Sequence, residues 1–303
     1  MRLAQLHRPL IVTAAVMVLI AILAGAGLVV DDRVLLGVPV WLKPFKFAVS
    51  ITIYAVTIAW LLSLLDRRRR LGWWLGTVIA GAMIGEMVII VGQASRGRQS
   101  HFNNQTPLDS TLYSVMGATI AIAWMCTLVL AILLLIQRLP DRAHALAVRF
   151  GLLVGLGGMM VGFLMTLPTK AQLDLPEGEA PTIVGAHSVG VTDGGPGLPL
   201  VNWSTTGGDL RVGHFVGVHS LQAMLVVAIL VTWLVRDADR RTRLVLVAGA
   251  TYAGLFVLVT WQALRGQPVT EPDPSTLIAF CVLAAACAIG AALAWLRPTP
   301  ADG

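Results

Sequence analysis

Charged residues are scarce in this sequence. They make up 13% of its 303 residues, against about 25% in a typical soluble domain. Hydrophobic residues make up 56%, and the mean hydropathy is +0.79. This composition excludes an ordinary soluble enzyme, and it excludes a disordered chain, which needs low hydrophobicity and high charge. It predicts an all-α integral membrane protein that crosses the bilayer several times.

Cysteine is rare as well. The three cysteines, Cys126, Cys281 and Cys287, all lie inside apolar runs. A CxxC pair and a disulfide framework among the loops are therefore excluded, and cysteine usage says little about the redox compartment.

Eight apolar runs are long enough to cross a bilayer, which takes roughly 20 residues as a helix. They cover about residues 9–30, 45–65, 72–93, 112–136, 146–167, 212–235, 243–264 and 275–296. The first run could instead be a signal peptide, because Arg2 and Arg8 precede it and small residues end it. Its length favours a retained span.

The loops between these runs alternate in charge. One set carries 14 of the 22 Lys and Arg residues, and the other carries 10 of the 16 Asp and Glu residues. By the positive-inside rule the basic set is cytoplasmic, so both termini lie inside and eight spans fit every loop. The basic runs serve as topology signals and imply no nucleic-acid binding. We predict a multi-pass protein of a bacterial cytoplasmic membrane.

Two similar blocks indicate an internal repeat. Residues 93–97 read QASRG and residues 262–266 read QALRG, and each block ends a predicted span. The letters STL open the next span in both cases. The sequence therefore predicts two parallel repeats of four spans, residues 1–140 and 141–303, related by an axis along the membrane normal. An outer loop over about 168–211 is predicted to form an ordered cap, because it contains Trp, Ile and Val.

Polar residues within the spans concentrate in the predicted outer half. Such residues are expensive in a bilayer and usually face a cavity or the protein interior. The candidate ligand-binding residues are Lys43, Lys46, Gln93, Arg96, His101, Arg211, His214, His219, Gln262 and Arg265. The candidate catalytic residues are Tyr54, Glu86, His219 and Gln222. We expect one pocket that opens outward, with cationic residues at its rim and the candidate catalytic residues at its floor.

Each of these residue types also has a structural interpretation. The arginines and Lys43 could be interfacial anchors whose charged ends reach the headgroups. His101 could tie a loop, and Glu86 could neutralise a buried cation. His214 and His219 could be interhelical hydrogen-bond partners. The sequence leaves these alternatives open.

Histidine suits haem ligation and proton transfer near neutral pH. His214 or His219 would ligate the iron of a haem b, with rim arginines on the propionates, and Glu86 and Tyr54 would relay protons. A quinone-like cofactor would use the same pocket. The leading hypothesis is thus a membrane redox protein or a membrane oxidoreductase.

Two other classes of function stay open. A transporter or receptor for a small anionic solute would use the cationic rim. A non-catalytic assembly protein would use the loop 168–211 as a docking surface, although it has no need of a buried glutamate. Besides the lipid bilayer, a homo-oligomer or a membrane partner is compatible with each class.

Three motifs carry a resemblance to known proteins. They are WLKPFKF at 41–47, QASRGRQSHFN at 93–103 and GGDLRVGHF at 207–215. The chain resembles a family of uncharacterised bacterial integral membrane proteins over nearly its whole length, and this resemblance implies no function. In architecture alone it is similar to haem A synthase, which implies haem-ligating histidines in both halves. When the two halves of this sequence are aligned, Lys46 occupies the position of His214, and the fourth and eighth spans contain no histidine. At most one haem is therefore expected.

Overall fold

The computed structural model describes residues 6–176 and 179–297. The helices are α1 (Arg8–Val30), α2 (Leu42–Ser63), α3 (Arg69–Ser95), α4 (Pro107–Ile136), α5 (Arg142–Met165), α6 (Lys170–Leu173), α7 (Leu210–Val218), α8 (Ser220–Leu234), α9 (Ala238–Leu264) and α10 (Pro274–Leu296). Two short antiparallel pairs join β1 (Val34–Leu35) to β2 (Val38–Pro39) and β3 (Ser188–Val189) to β4 (Gly208–Asp209). Residues 1–5, which include Arg2, and residues 298–303 lie outside the described residues. The prediction of two cytoplasmic termini falls on them.

The helices have the dimensions of a multi-pass membrane protein. Within the described ranges, seven are long and apolar enough to cross a membrane, and the count is eight if α7 and α8 form one span. The prediction of an all-α membrane protein is confirmed at this level. Several helices begin before the predicted apolar runs, and α4 begins at Pro107 rather than near 112, while α2 and α5 end two residues before theirs.

The predicted sixth span, 212–235, is not one straight helix. It divides at His219 into α7 and α8, which are bent by 47°. The Tyr252 hydroxyl donates to the Val216 carbonyl at 2.7 Å, which is the acceptor that the Ser220 amide would use in a continuous helix. The Ser220 hydroxyl in turn donates to the Gly151 carbonyl at 2.7 Å. Side chains of α9 and α8 therefore stabilise the break.

The first compact unit comprises Met1–Leu134 and Thr166–Ala186 and contains α1 to α4. In it α1 packs closely on α2, because Gly27 makes room for the Trp41 ring; a Cβ on Gly27 would lie 2.6 Å from that ring. The most buried of its spans is α3. A hydrogen bond between the Tyr54 and Thr127 hydroxyls, 2.6 Å long, joins α2 to α4.

The second compact unit comprises Leu135–Met165 and His187–Gly303 and contains α5 and α7 to α10. In it α5 packs against α7, α8 and α9. The backbones of α5 and α7 touch, because a Cβ on Gly158 would lie only 2.5 Å from the Gly217 Cα. The part of the predicted cap at 168–186 belongs to the first unit and the remainder, 187–211, to the second. This division does not test the parallel repeat, which stays a prediction.

Candidate functional site

Glu86 is a buried carboxylate of the first unit. It lies in the second half of α3, and only 2% of the residue is exposed. Its Oε1 lies 3.7 Å from His101 Nε2, while its Oε2 has no hydrogen-bond partner among the described residues. Lys43 on α2 is near enough to interact electrostatically with the carboxylate. A buried charged group with an unsatisfied oxygen is costly, so the position points to a role beyond packing.

His101 lies at the centre of a cluster of rings. Its centroid is 5.6 Å from that of Phe47, 6.2 Å from Phe102 and 6.5 Å from Tyr113. On its other side, Nδ1 lies 3.1 Å from the Ser100 hydroxyl oxygen. These contacts fix the ring with Nε2 towards Glu86. His101 thus connects an apolar, ring-lined surface to the buried carboxylate.

Tyr113 was not among the residues predicted from sequence. It lies on α4, and its ring packs at 5.9 Å from Phe102 as well as near His101. Its hydroxyl is buried and has no hydrogen-bond partner in the part of the chain that the structure describes. The only signal in the sequence is a tyrosine near the outer end of a span, where tyrosines are common in any case.

Asp109, in the first turn of α4, is another residue that sequence reasoning missed. It is fully buried. Its carboxylate accepts from Gln93 Nε2 at 2.9 Å, Arg96 Nη1 at 3.1 Å and Arg98 Nη1 at 3.3 Å. The Thr106 hydroxyl donates to it at 2.7 Å. Two predicted ligand-binding residues, Gln93 and Arg96, are therefore already engaged by a carboxylate.

Arg265 in the second unit is engaged in the same way. It forms a two-pronged ion pair with Asp273, the N-cap of α10, and its guanidinium lies 4.4 Å from the Trp261 ring. It also donates to the Thr276 hydroxyl at 3.3 Å. Gln262 lies close by and is buried.

The two QAxRG turns share one local structure. Each ends its helix at a glycine in the left-handed region, with φ of 65° at Gly97 and 74° at Gly266. In each, the glutamine side chain donates to the backbone carbonyl six residues further on, at 3.3 Å for Gln93 and 2.8 Å for Gln262. In each, an arginine pairs with an aspartate at the start of the next helix.

Two more arginines of the predicted outer side pair with an aspartate two residues earlier. Arg33 Nη2 lies 2.6 Å from Asp31, and Arg211 Nη2 lies 2.6 Å from Asp209. Hydrogen bonds from Arg33 hold the pKa of Asp31 well below its usual range. All five arginines on this side are therefore ion-paired. This pairing reduces the positive charge that the rim was expected to present.

The two predicted site histidines of the second unit, His214 and His219, contact residues of the same unit. His214 Nδ1 lies 2.8 Å from the Gly158 carbonyl oxygen, which is the interhelical bond of the structural alternative. If Nδ1 carries the proton, Nε2 is left as an acceptor. His219 lies at the break, and its ring centroid is 4.4 Å from that of Phe215.

The outer loop of the second unit contains one further histidine pair. His187 Nδ1 lies 2.7 Å from Asp193 Oδ2. Burial opposes the charge of Asp193, but hydrogen bonds from the His187 ring and from the backbone amides of His187 and Ser188 outweigh it and hold the pKa of Asp193 well below its usual range. The pair therefore ties the loop together.

Potential metal ligands are dispersed among the described residues. There, no group of three or more His, Cys, Asp or Glu could hold a metal ion. A depression in the second unit is lined by Asp209, Gln262 and Gln267 together with apolar side chains, but it has no room for a water molecule. It is therefore far smaller than typical ligand pockets, which measure roughly 300–1,000 Å³.

The structure thus sorts the predicted residues into local groups. Glu86, His101 and Lys43 come together in the first unit, where Lys46 is half-buried on α2. Tyr54 bonds instead to Thr127. The single outward pocket that would unite all of them stays a prediction.

Comparison with known proteins assigns no family. No protein-family model matches the chain, and neither a curated protein nor a solved structure matches it. The function therefore has to be inferred from the site.

Proposed function

We propose that the protein is a membrane redox protein whose site around Glu86 and His101 binds a quinone-like ligand. The observation that carries this proposal is the buried Glu86 carboxylate, which has one unpartnered oxygen and the other 3.7 Å from His101 Nε2. A quinone gains or loses protons at its carbonyl oxygens when its redox state changes. A carboxyl and an imidazole side by side are suited to exchange those protons. The rings of Phe47 and Tyr113, which are only partly buried beside His101, offer a surface for a planar ligand.

Haem b is less well supported as the ligand. His214 suits the role of an iron ligand in one respect, because its Nδ1 is bonded to a backbone carbonyl, as in many metal-ligating histidines. The arginines expected to hold the propionates are paired with aspartates instead. The same pairing weakens the alternative of a transporter or receptor for an anionic solute, which relied on a cationic rim.

The proposed architecture is eight spans, arranged as two parallel repeats of four in a bacterial cytoplasmic membrane with both termini inside. The shared structure of the two QAxRG turns supports duplication, since glycine cap, glutamine bond and Arg–Asp pair all recur. In this arrangement α7 and α8 together form the sixth span.

The ligand can be tested by asking what the protein carries when it is purified in mild detergent. Organic extraction followed by mass spectrometry detects quinones, and absorption spectra of the oxidised and reduced protein detect haem. We expect the wild type to carry a quinone, and Glu86→Gln and His101→Gln to carry about tenfold less, because each loses a charge-assisted contact. Glu271→Gln makes the same chemical change on an exposed loop residue and should leave the content unaltered.

A wild-type protein without a quinone, or equal quinone content in Glu86→Gln and Glu271→Gln, would contradict the proposal. A Soret band that shifts on reduction and disappears in His214→Ala would establish haem instead. Uptake of an anionic solute that is lost in Arg96→Ala would favour the transporter.

A further inference from the structure

A second cluster of polar and aromatic residues lies in the second unit, at the end of α9 and α10 that is opposite to the QALRG turn. It is far along the chain from Glu86. It is formed by the start of α9 and the end of α10. Those two helices pack antiparallel, because Gly254 lies against Leu283 and Gly290 lies against Val247. In an antiparallel pair of helices, the numbers of facing residues add to a constant, and they do so for these two contacts. The same register places Arg240 level with Arg297.

The contacts at this end agree with the register. Arg243 Nε donates to the Ala294 carbonyl at 3.2 Å, and its Nη2 donates to the Arg297 carbonyl at 3.1 Å. The Arg240 guanidinium lies over the Trp295 ring, 4.8 Å from its centroid. Three arginines and a tryptophan thus converge; we refer to Arg240, Arg243, Trp295 and Arg297 as the basic end cluster.

Arg240 has an unused donor within this cluster. Its Nε is buried, and no hydrogen-bond acceptor contacts it within residues 6–176 and 179–297. A guanidinium has five N–H donors in a fixed planar fork, which matches the oxygens of a phosphate. A buried donor without an acceptor loses its hydration without replacement. An anionic oxygen at this position would satisfy it.

The charge of the surroundings favours an anion. Residues 236–243 together with Arg297 contain five arginines and two aspartates, Asp237 and Asp239, which leaves an excess of three positive charges. Asp237 is the N-cap of α9, where it accepts from the Arg240 amide at 2.6 Å. Asp239 is exposed.

The position of the cluster favours a lipid as the source of that anion. Only 11% of the apolar window of α9 and 6% of that of α10 is buried, which makes these two helices the least buried of the seven unbroken spans. The cluster lies at the end of both apolar runs, which is the level of the headgroups. Trp295, half exposed, is a residue type that concentrates at this level.

We propose that the basic end cluster binds the phosphate of an anionic phospholipid, with Arg240 donating through Nε while it stacks on Trp295. The lipid would come from the leaflet that the positive-inside rule assigns to the cytoplasm, where basic pockets between helices bind such headgroups. This site is independent of the Glu86 site.

Native mass spectrometry of the detergent-solubilised full chain, titrated with phosphatidylglycerol and separately with phosphatidylcholine, tests the proposal. We expect phosphatidylglycerol to bind in preference to phosphatidylcholine. Arg240→Gln and Trp295→Leu should each weaken phosphatidylglycerol binding, Arg240→Gln by about tenfold. Arg70→Gln removes one exposed positive charge from the start of α3, on the same predicted side, and should change phosphatidylglycerol binding by less than about twofold.

If Arg240→Gln and Arg70→Gln weaken phosphatidylglycerol binding equally, the proposal is overturned, because net charge alone would then attract the lipid. Equal binding of phosphatidylglycerol and phosphatidylcholine would also overturn it. Displacement of the lipid by millimolar inorganic phosphate would identify a free-phosphate site and overturn the lipid assignment. Thermal unfolding of each variant shows whether it is folded, and Trp295→Leu, which keeps every charge, provides a second test if Arg240→Gln does not fold.

Discussion

At the scale of single residues, aspartates determine what the outer arginines do. Asp109 is buried and accepts from Arg96 and Arg98, and Asp273 pairs with Arg265. Arg96 and Arg265 could be singled out from sequence, because they recur in the two QAxRG blocks. Their partners could not, because an aspartate in a polar loop is normally solvated, and the distances of 13 and 8 residues between partners depend on how each loop folds.

Asp109 tests the structural importance of this pairing. Asp109→Ala leaves two arginines and Gln93 without their shared acceptor, so we expect the melting temperature in detergent to fall by roughly 5 °C. Asp32→Ala removes an exposed carboxylate from a different loop and should change the melting temperature by about 1 °C or less. A melting temperature for Asp109→Ala equal to that of Asp32→Ala would show that the buried pairing adds nothing to stability.

The exposed ion pairs predict a dependence on pH. Hydrogen bonds from Arg33 and Arg265 lower the pKa of Asp31 and of Asp273 in the folded state. A lowered folded-state pKa stabilises the fold above the unfolded-state value of about 4 and is lost as the pH falls towards the folded-state pKa. We therefore expect the melting temperature to decrease between about pH 5 and pH 2.5, and to decrease less steeply in the double variant Asp31→Asn, Asp273→Asn. Parallel curves for the two proteins would exclude these aspartates as the cause.

At the scale of elements, close glycine contacts set the packing of the second unit. Hydropathy alone located the spans, because a bilayer demands about 20 apolar residues of any helix that crosses it. The break at His219 could not be predicted from hydropathy. It depends on the Tyr252 hydroxyl bonding to the Val216 carbonyl across 36 residues, and the flanking sequence is as apolar as that of an unbroken helix.

Gly158 offers a test of this packing. In Gly158→Ala the new Cβ would lie 2.5 Å from the Gly217 Cα, so α5 and α7 must move apart. We expect the melting temperature to fall by roughly 5–10 °C. In Gly85→Ala, also within a span, the new Cβ meets no atom within 4 Å in the described structure, and stability should hold or rise slightly. Equal stability of the two variants would show that the glycine contact does not determine the packing.

At the scale of the whole molecule, the number of spans fixes the orientation of the two halves. Each unit carries a QAxRG turn of the same local structure. If α7 and α8 form one span, six spans separate Asp32 from Glu271, and both lie on the same side of the membrane. If they do not cross, only five separate them, and the two residues lie on opposite sides.

Cysteine labelling distinguishes these arrangements. In a background without the native cysteines, a membrane-impermeant maleimide should label Asp32→Cys and Glu271→Cys in intact cells. Arg67→Cys and Asp239→Cys should be labelled only after permeabilisation, since Arg67 lies in a basic loop and Asp239 lies in the basic first turn of α9. Labelling of only one of the two outer positions in intact cells would contradict the eight-span architecture and the parallel repeat.

The site itself was only partly predictable. Glu86 stood out because ionisable residues are rare within spans, and His101 because it closely follows the same span. Tyr113 did not, because its importance rests on a buried hydroxyl without a partner, and neither burial nor hydrogen bonding is visible in a sequence. Tyr54 was grouped with Glu86 because of its depth, but its hydroxyl bonds to Thr127 on α4.

The central claim is that the Glu86 site holds a quinone-like ligand, and the most direct measurement is the binding of a short-chain ubiquinone or menaquinone analogue to the protein in nanodiscs. Quenching of tryptophan fluorescence would give Kd for the wild type, for Glu86→Gln and for the control Glu271→Gln. We expect saturable binding, a Kd about tenfold higher in Glu86→Gln, and an unchanged Kd in Glu271→Gln. Absence of saturable binding, or the same Kd in all three proteins, would contradict the claim.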